Sequence, residues 1–306
     1  MRRTSLLLAY LCLLAGMSVV GSYVALSKPL VAVMPVFILA FLRFSIAGLV
    51  MLPWLPREAG APALNAPAKR WLFLQSLLGN FLFSVCMLYG VMFSNALTAG
   101  IVMAGIPAAV AVLSWAALGD RMGARMAVSI ALSCASVLLL QLAKSAAPVG
   151  EFYALGVVLL IAAVLCEASY VVLAKKLSGF LSPRRGSALL NAWGWALTLP
   201  FAAWQWWSTG FSIASISAAH WALLGYYAVA ASVLSTWLWF TGLRHVPASQ
   251  AGVYTVALPI TAALLGVGVL GEAFSSWHAL ALVLAIASVV CASWPADLRK
   301  GSDPIA

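Results

Sequence analysis

One stretch of this chain occurs twice. Ala99–Val137 reads AGIVMAGIPAAVAVLSWAALGDRMGARMAVSIALSCASV, and Ala251–Val289 reads AGVYTVALPITAALLGVGVLGEAFSSWHALALVLAIASV, the same frame displaced by 152 positions without a gap. In each copy Ala-Gly opens an apolar run and a proline follows (Pro107, Pro259). Leu-Gly-acid comes next (Leu118-Gly119-Asp120, Leu270-Gly271-Glu272), and a second apolar run closes on Ala-Ser-Val. Whatever this chain folds into must accommodate two equivalent halves, each ending in a pair of apolar segments.

Those segments cannot be core helices of a soluble domain. With 64% hydrophobic and 8% charged residues, the chain lacks the charge to cover a soluble surface of its size. Apolar runs of about 18 residues or more recur from end to end, each long enough to cross a hydrocarbon layer of about 30 Å as a helix. The expected spans are 5–26, 30–52, 71–93, 97–118, 126–142, 152–174, 187–207, 221–243, 249–270 and 276–294, ten in all. The fold class is therefore all-α integral membrane. The N-terminal run is too long for the apolar core of a secretory signal and reads as an uncleaved first span.

The basic residues set the orientation. With the N-terminus inside, fourteen of the seventeen Lys and Arg fall in inner segments and only Lys28 and Lys144 in outer ones, Arg43 lying within a span. Both termini are then cytoplasmic. This placement also assigns the net charge of +10 to short connections rather than to a nucleic-acid surface. Five spans per half is an odd number, so residues 1–146 and 147–306 form two inverted five-helix repeats. The duplicated turn agrees: GDRMGAR carries Arg121 and Arg125 on the inner side, and its twin GEAFSSW carries no basic residue outside. Repeats of this kind are the architecture of secondary carriers.

The odd-span duplication, Gly21, Ser22 and Lys28 at the end of the first span, Arg43 in the second, and the doubled Pro…Leu-Gly-acid signature resemble the drug/metabolite transporter superfamily, EamA type, over nearly the whole chain. The resemblance implies a ten-helix carrier with a central cavity between its halves. Such proteins are commonly exporters of amino acids, other metabolites or drugs, set in the bacterial inner membrane. Two positions depart from the usual pattern: Val20 stands where many relatives have tryptophan, and Glu167 where the sixth span is usually apolar or aromatic.

Arg43 and Glu167 are the charges expected well inside spans. Each costs at least about 2.5 to 3.5 kcal/mol on insertion scales, so each should face the bundle interior and find a partner. Both lie near the inner ends of their spans, and they could meet. Glu167 could exchange a proton with the cavity as substrate binds; the plainer reading is a permanent ion pair, or Arg43 snorkelling to lipid phosphates. Pro107 and Pro259 each remove an amide donor near a span centre and free a carbonyl one turn earlier. They serve as flexible gating points or as static kinks.

Asn80 and Ser84 share a face of the third span with Ser76, and Tyr170 shares that of Glu167. These residues, with Tyr89, Trp237, Trp239 and Tyr254 as stacking surfaces, are substrate candidates against a background of ordinary interhelical packing. Ser129, Ser133 and Ser136, repeated as Ala281, Ala285 and Ser288, permit close helix approach in a scaffold or dimer contact.

No catalytic group, metal site or cofactor is expected. The five cysteines lie inside apolar runs as packing residues, the three histidines lack metal-ligand spacing, and no nucleotide-binding loop is present. The expected partners are a small-molecule substrate and the lipid bilayer, with the proton as one candidate coupling ion and the chain a monomer or homodimer. A membrane-embedded scaffold or lipid-modifying enzyme built on the same bundle is the alternative function.

Overall fold

The computed structural model describes residues 2–56, 64–118, 124–144, 150–177, 181–243 and 252–293. The Gly119-Asp120 turn, the breakers Ala147-Pro148 and Val246-Pro247, and Trp294 with the C-terminal basic pair lie outside them. The described residues form ten helices. They are α1 (Arg2–Val33), α2 (Val36–Met51), α3 (Ala66–Phe93), α4 (Ala96–Met103 and Ile106–Leu118) and α5 (Ala124–Lys144), then α6 (Tyr153–Leu177), α7 (Pro183–Thr209), α8 (Ala218–Val229, continuing through Ser235–Leu243), α9 (Ala257–Gly268) and α10 (Ser276–Ser293). In hydrocarbon every backbone N–H and C=O must be satisfied within the chain, which leaves helices as the form for such apolar runs. Five stretches, Leu7–Val33, Val36–Trp54, Ala66–Phe93, Tyr153–Leu173 and Ala218–Trp239, are long and apolar enough to cross a membrane by themselves.

Side chains fix several helix starts. Asn65 accepts from the Ala68 amide at 2.9 Å, and Asn95 accepts from that of Thr98 at 2.7 Å. The expected end of the first span at Leu26 is corrected: α1 runs on through Lys28-Pro29 to Val33. A proline removes one donor without forbidding the turns that follow. Lys28 is tolerated there because it has a partner in another part of the chain, described below.

The two halves meet through equivalent helices. The α5–α10 contact is written in serines: Ser129 Oγ donates to the Ser288 carbonyl at 2.9 Å, and Ser288 Oγ to that of Ser129 at 2.7 Å. Ser136 Oγ donates to the Ala281 carbonyl at 2.7 Å. Adding 152 to Ser136 gives Ser288, and adding it to Ser129 gives Ala281, so each residue contacts the other's counterpart, as a two-fold axis requires. The numbering rises along α5 as it falls along α10. The helices are antiparallel, and the first residues of these duplicated elements stand at opposite ends of the bundle.

The first helix of each half crosses into the other. Helix α1 packs on α8 and α9, and α6 packs on α3 and α4. Gly242 and Gly90, 152 positions apart, make the equivalent contacts: a Cβ at Gly242 would lie 2.5 Å from Leu13 Cγ, and one at Gly90 would lie 2.7 Å from Leu160 Cγ. Helices approach this closely only where the side chain is a hydrogen. Helices α2 and α7 form a further pair, in which Asn191 Nδ2 donates to the Phe44 carbonyl at 2.9 Å.

Four helices are interrupted in matching places. Helix α3 contains a π turn at Leu77–Leu82 and α8 one at Ala230–Leu234, the same frame displaced by 152. Helix α4 breaks at Ala104-Gly105, just before Pro107; α9 begins as a 3₁₀ turn, Gly252–Val256, just before Pro259. The missing proline N–H explains the position of both breaks. Gly105 instead donates to Val102 O at 3.0 Å in a tighter turn.

Candidate functional site

Between the two π turns lies a group of polar and aromatic side chains drawn from five helices. Arg43 of α2 is 6% exposed. Its Nη2 donates to Ser84 Oγ at 2.8 Å, and Ser84 in turn donates to the Asn80 carbonyl inside the α3 π turn. A π turn leaves carbonyls off the regular ladder, and this one anchors the serine that holds the guanidinium. The guanidinium carbon lies 4.1 Å from the centre of the Phe44 ring and 5.7 Å from that of Tyr227, on α8 one turn before its own π turn. Tyr23 of α1 meets Tyr227 edge-on at 5.8 Å.

Glu167 of α6 is half-buried. Tyr170, one turn along α6, lies against the α3 π turn, where a Cβ on Gly79 would run into its ring. Whether Arg43 and Glu167 pair was left open by the sequence; they form no ion pair, and among the described residues the ion pair is Lys28–Glu272. The reason is geometric. Arg43 turns instead to Ser84 and to the faces of Phe44 and Tyr227.

The crossing helices explain why tyrosines recur here. Leu13 and Leu160 occupy equivalent places against Gly242 and Gly90, which makes Tyr23 the counterpart of Tyr170 and Val20 the counterpart of Glu167. The two tyrosines are a symmetric feature of the repeat; the carboxylate is carried by one half alone.

The other sequence candidates lie elsewhere. Tyr89 belongs to an aromatic chain, 6.1 Å from Phe37 and 5.7 Å from Phe93. Tyr254 stacks on Tyr10 at 5.4 Å, and Trp239 joins them against Ala9 and Leu13 near the start of α1. Trp237 is 55% exposed. Pro107 is half-buried and Pro259 buried.

The sequence reading missed Tyr23 and Tyr227 in the central group, and it missed a second constellation at the end of the bundle where α1 finishes. There the Glu272 side chain, 7% exposed, accepts from Lys28 Nζ at 3.0 Å. Its oxygens also accept from the amides of Ala96 and Leu97, each at 2.8 Å. One carboxylate thus ties α1, the start of α4 and the α9–α10 turn, with the positive end of the α4 dipole facing it. Gln205 of α7 does the same for α2, its Oε1 accepting from the Phe37 amide at 2.9 Å. The available signal was the acid of the doubled Leu-Gly-acid motif.

The model of the EamA-like transporter family matches twice, over residues 7–142 and 154–294. A Bacillus subtilis (strain 168) protein named Uncharacterized transporter YetK is 34% identical over 283 residues, covering 92% of this chain and 85% of that protein. A crystal structure sharing 15% of its sequence superposes with a TM-score of 0.60 over 95% of this chain and 97% of its own, a likeness of fold.

Proposed function

The chain belongs to the EamA-like transporter family, and we propose that it is a secondary carrier that exports small organic metabolites by alternating access. In this reading residues 1–146 and 147–306 are the working halves, set in a bacterial inner membrane with both termini in the cytoplasm. Substrate is held at the seam between the halves, against Arg43, Glu167, Tyr170, Ser84 and Asn80 with Tyr23 and Tyr227.

The observation that carries the reading is the matched set of interruptions. Regular helices resist bending, whereas π turns and proline breaks concentrate deformation at one place. Here they occur in pairs, α3 with α8 and α4 with α9, one member of each pair in each inverted half. A motion about one set opens one end of the bundle, and the equivalent motion about the other set opens the opposite end. Pro107 and Pro259 are the gating points. Glu167 exchanges a proton with the seam as substrate comes and goes, coupling export to the proton gradient.

The test is uptake into proteoliposomes across a panel of labelled amino acids, nucleosides and cationic dyes, with and without an imposed proton gradient. Saturable movement that responds to the gradient is expected for at least one class. Movement that is absent, or linear in concentration like a leak, overturns the carrier reading.

A further inference from the structure

We infer that the central site takes the anionic end of its substrate on Arg43 and Tyr227, so that this carrier selects small organic monoanions, carboxylates above all, over amines and other cations. This rests on the carrier reading given above.

Two buried donors at the seam have no protein acceptor. Arg43 Nε and the Tyr227 hydroxyl are both fully enclosed and make no hydrogen bond, although the guanidinium stands over the Tyr227 ring at 5.7 Å. Buried polar groups are ordinarily paired, and a guanidinium at membrane depth is ordinarily paired with an opposite charge. Arg43 has neither for its Nε. Its contact with Ser84 fixes Nη2 and leaves the rest of the donor fork for another acceptor. That fork matches the two oxygens of a carboxylate.

The charge balance narrows the class. Lys28 is committed to Glu272, so Arg43 brings a single positive charge to this group. Glu167 is the acid of the same group, and with its proton on, a monoanion is matched by Arg43 and a phosphate dianion is not. Phe44, Tyr23 and Tyr227 wall the site with ring faces and edges, which suits an apolar body behind the carboxylate. A cationic dye would meet the guanidinium of Arg43 at close range. The two donors also sit where the helices deform: Arg43 is tied through Ser84 to the α3 π turn, and Tyr227 lies one turn before that of α8. Admission of a ligand between α2 and α8 therefore coincides with the motion proposed for the cycle.

The experiment uses the full-length chain in lipid nanodiscs and matched probes of one skeleton: benzoate, benzamide and benzylamine, with butyrate, butyramide and butylamine as an aliphatic set. Binding is read by scintillation proximity. At least one carboxylate should bind wild type roughly tenfold or more tightly than its amide and its amine. Tyr227→Phe should weaken that carboxylate by about tenfold, the scale of one hydrogen bond to a charged group, with unfolding temperature in the absence of ligand unchanged. Arg43→Gln should bind carboxylate and amide alike.

The inference is overturned if amines or amides bind as well as carboxylates, if neither carboxylate binds, or if Tyr227→Phe retains full carboxylate affinity. The two readings fail separately. Carboxylate binding that depends on Arg43, without movement of any solute in proteoliposomes, removes the carrier reading and keeps the anion site. Transport that ignores charge and survives Arg43→Gln removes the anion site and keeps the carrier.

Discussion

Glu272 offers the clearest separation of two effects that structures often merge. Its carboxylate holds one lysine and two backbone amides, and these contacts differ in worth. Lys28 is 35% exposed, so water screens that pair and its contribution is at most about 1 kcal/mol. The Ala96 and Leu97 residues are buried, and a hydrogen bond from each amide to a carboxylate contributes about 1.5 to 3 kcal/mol. Capping should therefore outweigh the ion pair. Glu272→Ala leaves both amides without an acceptor and should cost about 3 kcal/mol or more. Glu272→Gln keeps one acceptor oxygen and should cost about half as much, and Lys28→Met should cost about 1 kcal/mol or less. The assay is thermal unfolding in nanodiscs combined with hydrogen exchange over the first turn of α4. Exchange at Ala96 and Leu97 should quicken in Glu272→Ala and stay nearly unchanged in Lys28→Met. Lys28→Met proving as costly as Glu272→Ala, or unaltered exchange in the latter, would refute the reasoning.

Three further outcomes are expected. Ser136→Ala should destabilise the α5–α10 pair by about 0.6 kcal/mol, the average for an interhelical hydrogen bond in lipid, whereas Ser136→Leu, which wedges the helices apart at Ala281, should lower the unfolding temperature far more; equal effects would contradict close packing there. Pro107→Ala and Pro259→Ala, by restoring an amide donor, should each slow turnover in proteoliposomes while leaving substrate affinity nearly unchanged; unaltered turnover in both would remove their gating role. Glu167→Gln should abolish the dependence of transport on an imposed proton gradient in inverted vesicles, and full retention of that dependence would take the carboxylate out of coupling.

Much of the fold was legible because the duplication is legible. A frame of 152 residues predicts two equivalent halves, and an odd number of apolar runs per half inverts one against the other; the serine contacts of α5 with α10 follow from that symmetry. The extension of α1 past Lys28-Pro29 was hidden because its cause, Glu272, is 244 residues away. The π turns were hidden for a related reason: an extra residue in a helical turn is a response to packing, and Leu77–Leu82 has no composition that announces it. Arg43 and Glu167 stood out because charge inside an apolar run is conspicuous, and Ser84 and Asn80 followed from their spacing of four. Tyr23 and Tyr227 looked like ordinary aromatics. Only the contacts of Leu13 and Leu160 reveal that Tyr23 and Tyr170 are counterparts, since the first helices of the two halves follow a frame of 147 rather than 152. For an aromatic such as Trp237 the sequence offers no way to choose a side, because in a membrane protein the lipid-facing and inward-facing sides of a helix are both apolar.

The central claim, that the halves are inverted about the seam, is tested by impermeant thiol labelling. Ala124 and Ser276 are 152 positions apart, exposed, and the first residues of α5 and α10. With the five native cysteines replaced, Ala124→Cys and Ser276→Cys should react with a membrane-impermeant maleimide from opposite faces of sealed vesicles, Ser276→Cys from outside and Ala124→Cys only after inversion or permeabilisation. Labelling of both from the same face would contradict the account.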